Sequence, residues 1–167
     1  SKKFTFIKTE NSNSFYNKHI RSLFLYKPDT LFVGLVNGLS IVNPLNDSVS
    51  HVMMRFSGLE NSIRPTVRKV LPWSADSFLL ATDRGTFWLN LQNRSLSAVY
   101  ANPSKKIDFR LVNSNDIIRY SEDEIWIATE DDGILFYNMR TGKFNYSYKL
   151  SEFNSGVPRG FTGSFYK

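Results

Sequence analysis

Asp29, Asp76 and Asp123 stand 47 residues apart, and each opens a similar phrase: Asp29-Thr-Leu-Phe-Val-Gly34, Asp76-Ser-Phe-Leu-Leu-Ala81 and Asp123-Glu-Ile-Trp-Ile-Ala128. A few residues on, each phrase reaches a glycine (Gly38, Gly85, Gly133), a second apolar run and an asparagine (Asn43, Asn90, Asn138). The third copy gains one residue in its Asp131-Asp132-Gly133 turn. A repeat of this length, built from short strands, restricts the chain to a β-propeller or a solenoid.

Each copy resolves into four strand signals of four to seven residues, rich in β-branched and aromatic side chains and bounded by Gly, Asn, Asp and Pro. The first copy reads as strands at Ile20–Tyr26, Thr30–Leu35, Leu39–Asn43 and Val49–Met54. The second reads as strands at Val67–Trp73, Phe78–Thr82, Thr86–Asn90 and Leu96–Tyr100. The third reads as strands at Ile117–Tyr120, Ile125–Thr129, Ile134–Asn138 and Phe144–Tyr148. The second strand of each copy is almost continuously apolar, as expected where neighbouring blades cover both faces. Asn37-Gly38, Arg84-Gly85 and Asp132-Gly133 put glycine where a tight hairpin needs positive φ. Asn46-Asp47, Asn93-Arg94 and Thr141-Gly142 are expected to form a polar hairpin before the fourth strand. No 3.6-residue periodicity persists for a helix length, so the chain is predicted to be all-β.

The expected architecture is a single partial β-propeller over residues 1–167, made of four-stranded antiparallel blades, with repeats at about 19–56, 66–101 and 114–150. Residues 1–8 fall where the last strand of a preceding blade belongs, and 161–167 where the first strand of a following one belongs. Propellers close with about 4–8 blades, so three imply a fragment. Its open edges are expected to be covered by further blades of the same protein or by another copy, giving a homodimer or edge-mediated self-association.

Composition narrows the partners. The net charge of +6 is spread over isolated pairs such as Lys2-Lys3, Arg68-Lys69 and Lys105-Lys106, with acidic residues between them. No basic stripe interleaves with stackable aromatics, so nucleic acid is not an expected partner. No apolar run approaches the roughly 20 residues that cross a bilayer, so a membrane enters only through segments outside this sequence. The absence of cysteine excludes disulfides and thiolate chemistry.

The repeat phrases resemble the two-component regulator propeller repeat, which reads roughly Asp-x-x-Leu-Trp-Ile-Gly-Thr, a short turn, Gly-Leu, then Tyr-Asp and a trailing Thr-Gly-x-Phe. The best copy is Asp123-Glu-Ile-Trp-Ile-Ala-Thr-Glu-Asp-Asp-Gly-Ile-Leu-Phe-Tyr-Asn138 with Thr141-Gly-Lys-Phe144, and the resemblance covers about residues 15–150. Tryptophan occupies the second-strand slot only at Trp126, with Phe32 and Leu79 elsewhere, and Asn43, Asn90 and Asn138 replace the family's aspartate. The resemblance implies the periplasmic sensor region of a membrane-bound, often hybrid, histidine kinase of Bacteroidetes. It also implies an oligosaccharide as the cue. The rival expectations are a protein-interaction scaffold and, less favoured, a polysaccharide-degrading enzyme.

No catalytic residue, metal ligand set or cofactor is expected. His19 and His51 lack partners at metal or triad spacing. The carboxylates of Glu122-Asp123-Glu124 and Glu130-Asp131-Asp132 read as solvated turns rather than a glycosidase pair. Trp126 and Trp88 are expected in the core, and Trp73, in the place matching Tyr26 and Tyr120, is expected to serve edge packing, with lining of one rim by the three as the alternative. The Asn-x-Ser triplets at Asn46, Asn93 and Asn145 read as chance in a chain rich in both residues. Ligands of propellers meet loops, which escape the packing demands of strands. The candidate ligand-binding residues are therefore Asn37, Asp83, Arg84, Glu130 and Asp131 in the turns, Asn61, Arg64 and Arg110 in the long connections 56–66 and 101–114, and Trp73.

Overall fold

In the computed structural model the described residues are 19–52, 55–56, 64–99, 113–130, 133–148 and 164–165. Their strands are β1 (Ile20–Lys27), β2 (Thr30–Leu35), β3 (Gly38–Asn43), β4 (Ser48–Val52), β5 (Arg55–Phe56), β6 (Val67–Pro72), β7 (Ser77–Thr82), β8 (Gly85–Asn90), β9 (Ser95–Ala98), β10 (Ser114–Arg119), β11 (Glu124–Thr129), β12 (Ile134–Asn138) and β13 (Lys143–Tyr148). They form three sheets in the orders β1-β2-β3-β4, β5-β9-β8-β7-β6 and β10-β11-β12-β13. Apart from the two-residue β5, each is an antiparallel meander, the blade of a propeller, and the described strands do not close a ring. Residues Phe4–Ile7 and most of 161–166, read from sequence as strands of flanking blades, lie outside the described residues.

Local chemistry accounts for the turns. Gly38, Gly85 and Gly133 have φ of 128°, 119° and 78°, as the hairpins between second and third strands require. The Thr82 and Thr129 hydroxyls close two of these hairpins by donating to the carbonyls of Gly85 and Gly133. The repeat asparagines are caps. Asn90 Oδ1 accepts from the amides of Gln92 and Asn93, and Asn138 Oδ1 accepts from the amide and hydroxyl of Thr141. The repeat aspartates tie two turns together: the amides of Leu91 and Met139 donate to the carbonyls of Asp76 and Asp123. Their carboxylates hold Gln92 and Arg140 respectively, each at 2.7 Å.

The blades pack face to face, with the first strands β1, β6 and β10 adjacent and therefore innermost. Between the first two blades lie Phe32, Leu39, Val70, Phe78, Leu80, Phe87, Leu89 and Leu96, all buried. Phe32 and Phe78 stand 4.7 Å apart, and the edge of Tyr26 meets Phe78 at 5.0 Å. Between the second and third blades lie Leu79, Ala81, Ile117, Ile125, Ile127, Leu135 and Tyr137. The side chains of β7 thus alternate between two cores, which explains why its sequence is apolar throughout. Burying each Phe or Leu stabilises the fold by about 1.5–3 kcal/mol.

Four features depart from expectation. First, β5 adds to the outer edge of the middle blade, parallel to β9, so the connection after the first blade covers that edge. Second, β10 begins at Ser114 rather than Ile117. Its polar start has low strand propensity, but Ser114 and Thr86 share a buried hydroxyl–hydroxyl bond of 2.9 Å and Asp116 pairs with Lys69. Third, Trp126 is half-buried rather than enclosed. It stacks on Tyr120 at 4.2 Å and meets Phe165 edge-on at 6.3 Å, on the outward face of the third blade. Fourth, Trp88 is also half-buried, packed against the margin of the second core with Trp73 at 5.8 Å.

Candidate functional site

The meander sends its turns to two ends. One end, here the upper, carries the turns between second and third strands and the starts of β1, β6 and β10. Hydrogen bonds repeat there with the 47-residue spacing: Val36, Asp83 and Glu130 amides donate to the carbonyls of His19, Thr66 and Asn113. These bonds fasten each turn to the start of its own blade. A parallel bridge joins Gly38 to Thr66, and the Thr66 hydroxyl donates to Val36 O at 2.7 Å, fastening consecutive blades.

Asn37, Arg64, Asp83, Arg84 and Glu130 all stand at this upper end, with Asn37, Arg64 and Arg84 exposed. Asp83 has a structural task, since its Oδ1 accepts the Thr66 amide at 2.8 Å. Glu130 lies 3.6 Å from the Arg68 guanidinium. Trp73 is not among them. It follows β6 and so sits at the lower end, where it meets Trp88 and carries the Arg119 guanidinium 4.1 Å above its ring. Tyr26, Trp73 and Tyr120 do share that lower end, but Tyr26 donates to Ala75 O and Tyr120 stacks on Trp126. Asn61, Arg110 and Asp131 lie outside the described residues.

Sequence reasoning missed a set of residues on the innermost strands. The pairing of β1 with β2 slips between Ile20 and Ser22, that of β6 with β7 between Val67 and Lys69, and that of β10 with β11 between Ser114 and Asp116. Each slip leaves one extra residue on the inner strand: Arg21, Arg68 and Asn115. Bulges bend a strand and re-aim a side chain, and they recur beside binding sites. Here the bulged side chain reaches to the next blade, for the Arg68 guanidinium donates to Asn115 Oδ1. The signal available in the sequence was the 47-residue spacing of these three polar residues within otherwise apolar strands.

Chemically, the upper end offers guanidinium and amide donors, with carboxylates engaged by backbone or arginine. That set recognises polar groups by hydrogen bonds and charge. Among the described residues, no group of three His, Cys, Asp or Glu is placed to hold a metal. The Ser40 hydroxyl and His51 Nδ1 are 2.8 Å apart on β3 and β4, two residues below the Gly38 turn. Burial raises the pKa of the Tyr137 phenol above its ordinary 10.0, but Tyr137 belongs to the core between blades.

No family model matches the chain, nor does any curated protein. Solved structures do. The extracellular domain of a B. thetaiotaomicron protein described as a one-component system superposes with a TM-score of 0.68 at 16% identity, over 93% of this chain and 19% of that one. The extracellular domain of a B. thetaiotaomicron hybrid two-component system gives 0.66 at 18% identity, over 89% of this chain and 20% of that one. The WD40 propeller domain of Doa1 gives 0.59 at 13% identity, over 83% and 43%. The chain therefore spans about a fifth of the length of the bacterial domains it matches. Two of the three are extracellular domains, one from a system described as one-component and one from a hybrid two-component system. At these identities the likeness is one of fold: this chain carries three propeller blades.

Proposed function

We propose that the chain is part of the extracytoplasmic, periplasmic sensing region of a bacterial two-component histidine kinase, and that it recognises an oligosaccharide rather than performing catalysis. The observation that carries this reading is the match over about nine-tenths of the chain to extracellular domains of bacterial one-component and hybrid two-component systems. The upper end, with exposed Asn37, Arg64 and Arg84, suits a hydroxyl-rich ligand that accepts hydrogen bonds. A ligand signals only by binding one arrangement of a sensor better than another. Blades that share two continuous cores move as a unit, so the bias passes through their docking rather than through rearrangement inside them.

The test is a thermal-shift screen of the whole extracytoplasmic region against a panel of plant and host oligosaccharides. A ligand that binds only the folded state adds about 2.7 kcal/mol at a hundredfold excess over Kd. A raised midpoint with a single glycan class supports the reading. No shift across the panel overturns it in favour of a protein-interaction scaffold.

A further inference from the structure

Four repeat positions on each blade face the blade that follows it. On the first they are Phe24, Tyr26, Phe32 and Ile41, which share a core with Val70, Phe78 and Leu80 of the second. On the second they are Leu71, Trp73, Leu79 and Trp88, each 47 residues on, which share a core with Ile117, Ile125 and Ile127 of the third. The third blade carries Ile118, Tyr120, Trp126 and Phe136 at the same positions, Phe136 being displaced by the extra residue before Gly133. Its forward face is therefore as apolar as the two that are covered. Ile118, Trp126 and Phe136 are half-buried and Tyr120 is 53% exposed. Trp126 is fixed in place, for Phe136 meets it at 4.9 Å and its Nε1 donates to Glu124 Oε1 at 2.8 Å.

A second series of contacts says what belongs on that face. Ser22, Lys69 and Asp116 share one repeat position on the innermost strands. Each reaches the innermost strand that comes next. Ser22 Oγ donates to the carbonyl of Val67 at 3.2 Å, and Lys69 Nζ pairs with Asp116 at 3.2 Å. Asp116 makes the third link of the series, because its Oδ2 accepts the amide of Phe165 at 2.8 Å. Phe165 stands 47 residues after Ile118, at the repeat position of Phe24 and Leu71, and its ring meets Trp126 edge-on at 6.3 Å. The chain thus passes the third blade at the place where an innermost strand passes the first and the second.

We propose that the forward face of the third blade is a docking surface whose occupant is a fourth blade of the same protein, with Phe165 on its innermost strand. That blade lays against Trp126 and Phe136 an apolar face equivalent to Val70, Phe78 and Leu80, and removal of this surface from water drives the docking. Asp116 sets the register by holding the Phe165 amide. Tyr26 shows how the lower end closes: its ring edge meets Phe78 and its hydroxyl donates to Ala75 O of the following blade. Tyr120, at the same repeat position, makes the corresponding contact with the first turn of the fourth blade. The inference does not depend on the oligosaccharide reading above.

The chain has no cysteine, so one introduced thiol reports on coverage through its rate of reaction with a disulfide reagent. Tyr120→Cys probes the forward face of the third blade. Leu45→Cys, at a 74% exposed hairpin residue, is the control, and Leu25→Cys marks the opposite face of the first blade, where Leu25 is 60% exposed. All three are expected to react at similar rates in the 167-residue chain. In the whole extracytoplasmic region Tyr120→Cys is expected to react about tenfold more slowly, with Leu45→Cys unchanged. Equal rates for Tyr120→Cys in the two proteins overturn the proposal. Protection of both Tyr120→Cys and Leu25→Cys that grows with the concentration of the 167-residue chain also overturns it, because the occupant is then a second copy. A reading frame too short after Phe165 to supply three more strands overturns it outright. Phe165→Ala in the 167-residue chain leaves Tyr120 in place and gives an independent reading. It is expected to increase acrylamide quenching of the Trp126 fluorescence, taken as the difference from Trp126→Phe, and unchanged quenching overturns the seat of Phe165 on that face.

Discussion

Lys69 Nζ lies 3.2 Å from Oδ1 of Asp116, an ion pair that joins the innermost strands of consecutive blades. The two partners are unequal: the Asp116 side chain is 4% exposed and that of Lys69 43%. Asp116 also accepts the amides of Ile117 and Phe165, each at 2.8 Å. Its carboxylate thus gathers the second blade, its own strand and the chain that follows the third blade.

That inequality predicts an order of effects. Asp116→Ala should destabilise by about 2–3 kcal/mol, because it leaves two backbone donors without their acceptor as well as breaking the pair. Lys69→Met should cost only about 1 kcal/mol or less, since the lysine is largely solvated and the carboxylate keeps its amides. Urea unfolding of both variants measures the difference. Equal losses would show that the ion pair, not the amide bonds, dominates.

Gly34 pairs with Ser22 across β1 and β2, beside the Arg21 bulge. A methyl group there would run into the Ser22 hydroxyl oxygen and the carbonyl of Val67 in the next blade. The same repeat position holds Ala81 and Ala128 in the other copies. Gly34→Ala should therefore destabilise by about 1–3 kcal/mol despite matching its counterparts. Adding Ser22→Ala should recover only part of the loss, because the Val67 carbonyl cannot move without its strand. Denaturant midpoints of the single and double variants check this.

Asp47, Arg94 and Gly142 occupy one repeat position in the hairpins before the fourth strands, with φ of 56°, 53° and 65°. Only the third copy uses the residue suited to that conformation. Gly142→Ala should cost about 1 kcal/mol, the penalty of a left-handed residue with a Cβ. Arg94→Gly should be neutral or stabilising by up to about 1 kcal/mol, as relief of strain offsets the greater freedom of glycine in the unfolded chain. Thermal midpoints of the two variants should move in opposite directions or leave Arg94→Gly unchanged.

Burial raises the Tyr137 pKa in the folded state. The folded protein then holds this proton more tightly than the unfolded chain, so the contribution is complete below pH 10.0 and is lost as pH rises through the folded value. Tyr137→Phe should lessen the fall in stability above about pH 10 relative to the parent. Unfolding curves from pH 8 to 11 would refute this if the two proteins lost stability in parallel.

The repeat made much of the fold legible before any coordinates. Strands β2 and β12 have the bounds read from sequence, and the turn glycines have the positive φ expected of them. These are short-range matters of apolar runs and turn chemistry. The candidate site was legible only in part. Asn37, Arg64, Asp83, Arg84 and Glu130 come to one end because strand order and turn order are set together in a meander. Trp73 goes to the other end for the same topological reason.

What the sequence by itself determined is the blade: its period, its four strands and the capping residues that stop each one. Those follow from interactions within about ten residues along the chain. The tertiary structure alone decided which polar residues are available to a ligand. The bulges at Arg21, Arg68 and Asn115 are a mismatch of pairing between strands, invisible in either strand alone. Asp83 and Glu130 share a repeat position, yet one holds a backbone amide and the other an arginine of the same middle blade. Trp126 and Leu79 likewise share a position, and one is half-buried while the other is enclosed, because among the described residues only Leu79 has a blade packed against its face. Burial and charge pairing depend on what stands across the gap between sheets, which the 47-residue period does not encode.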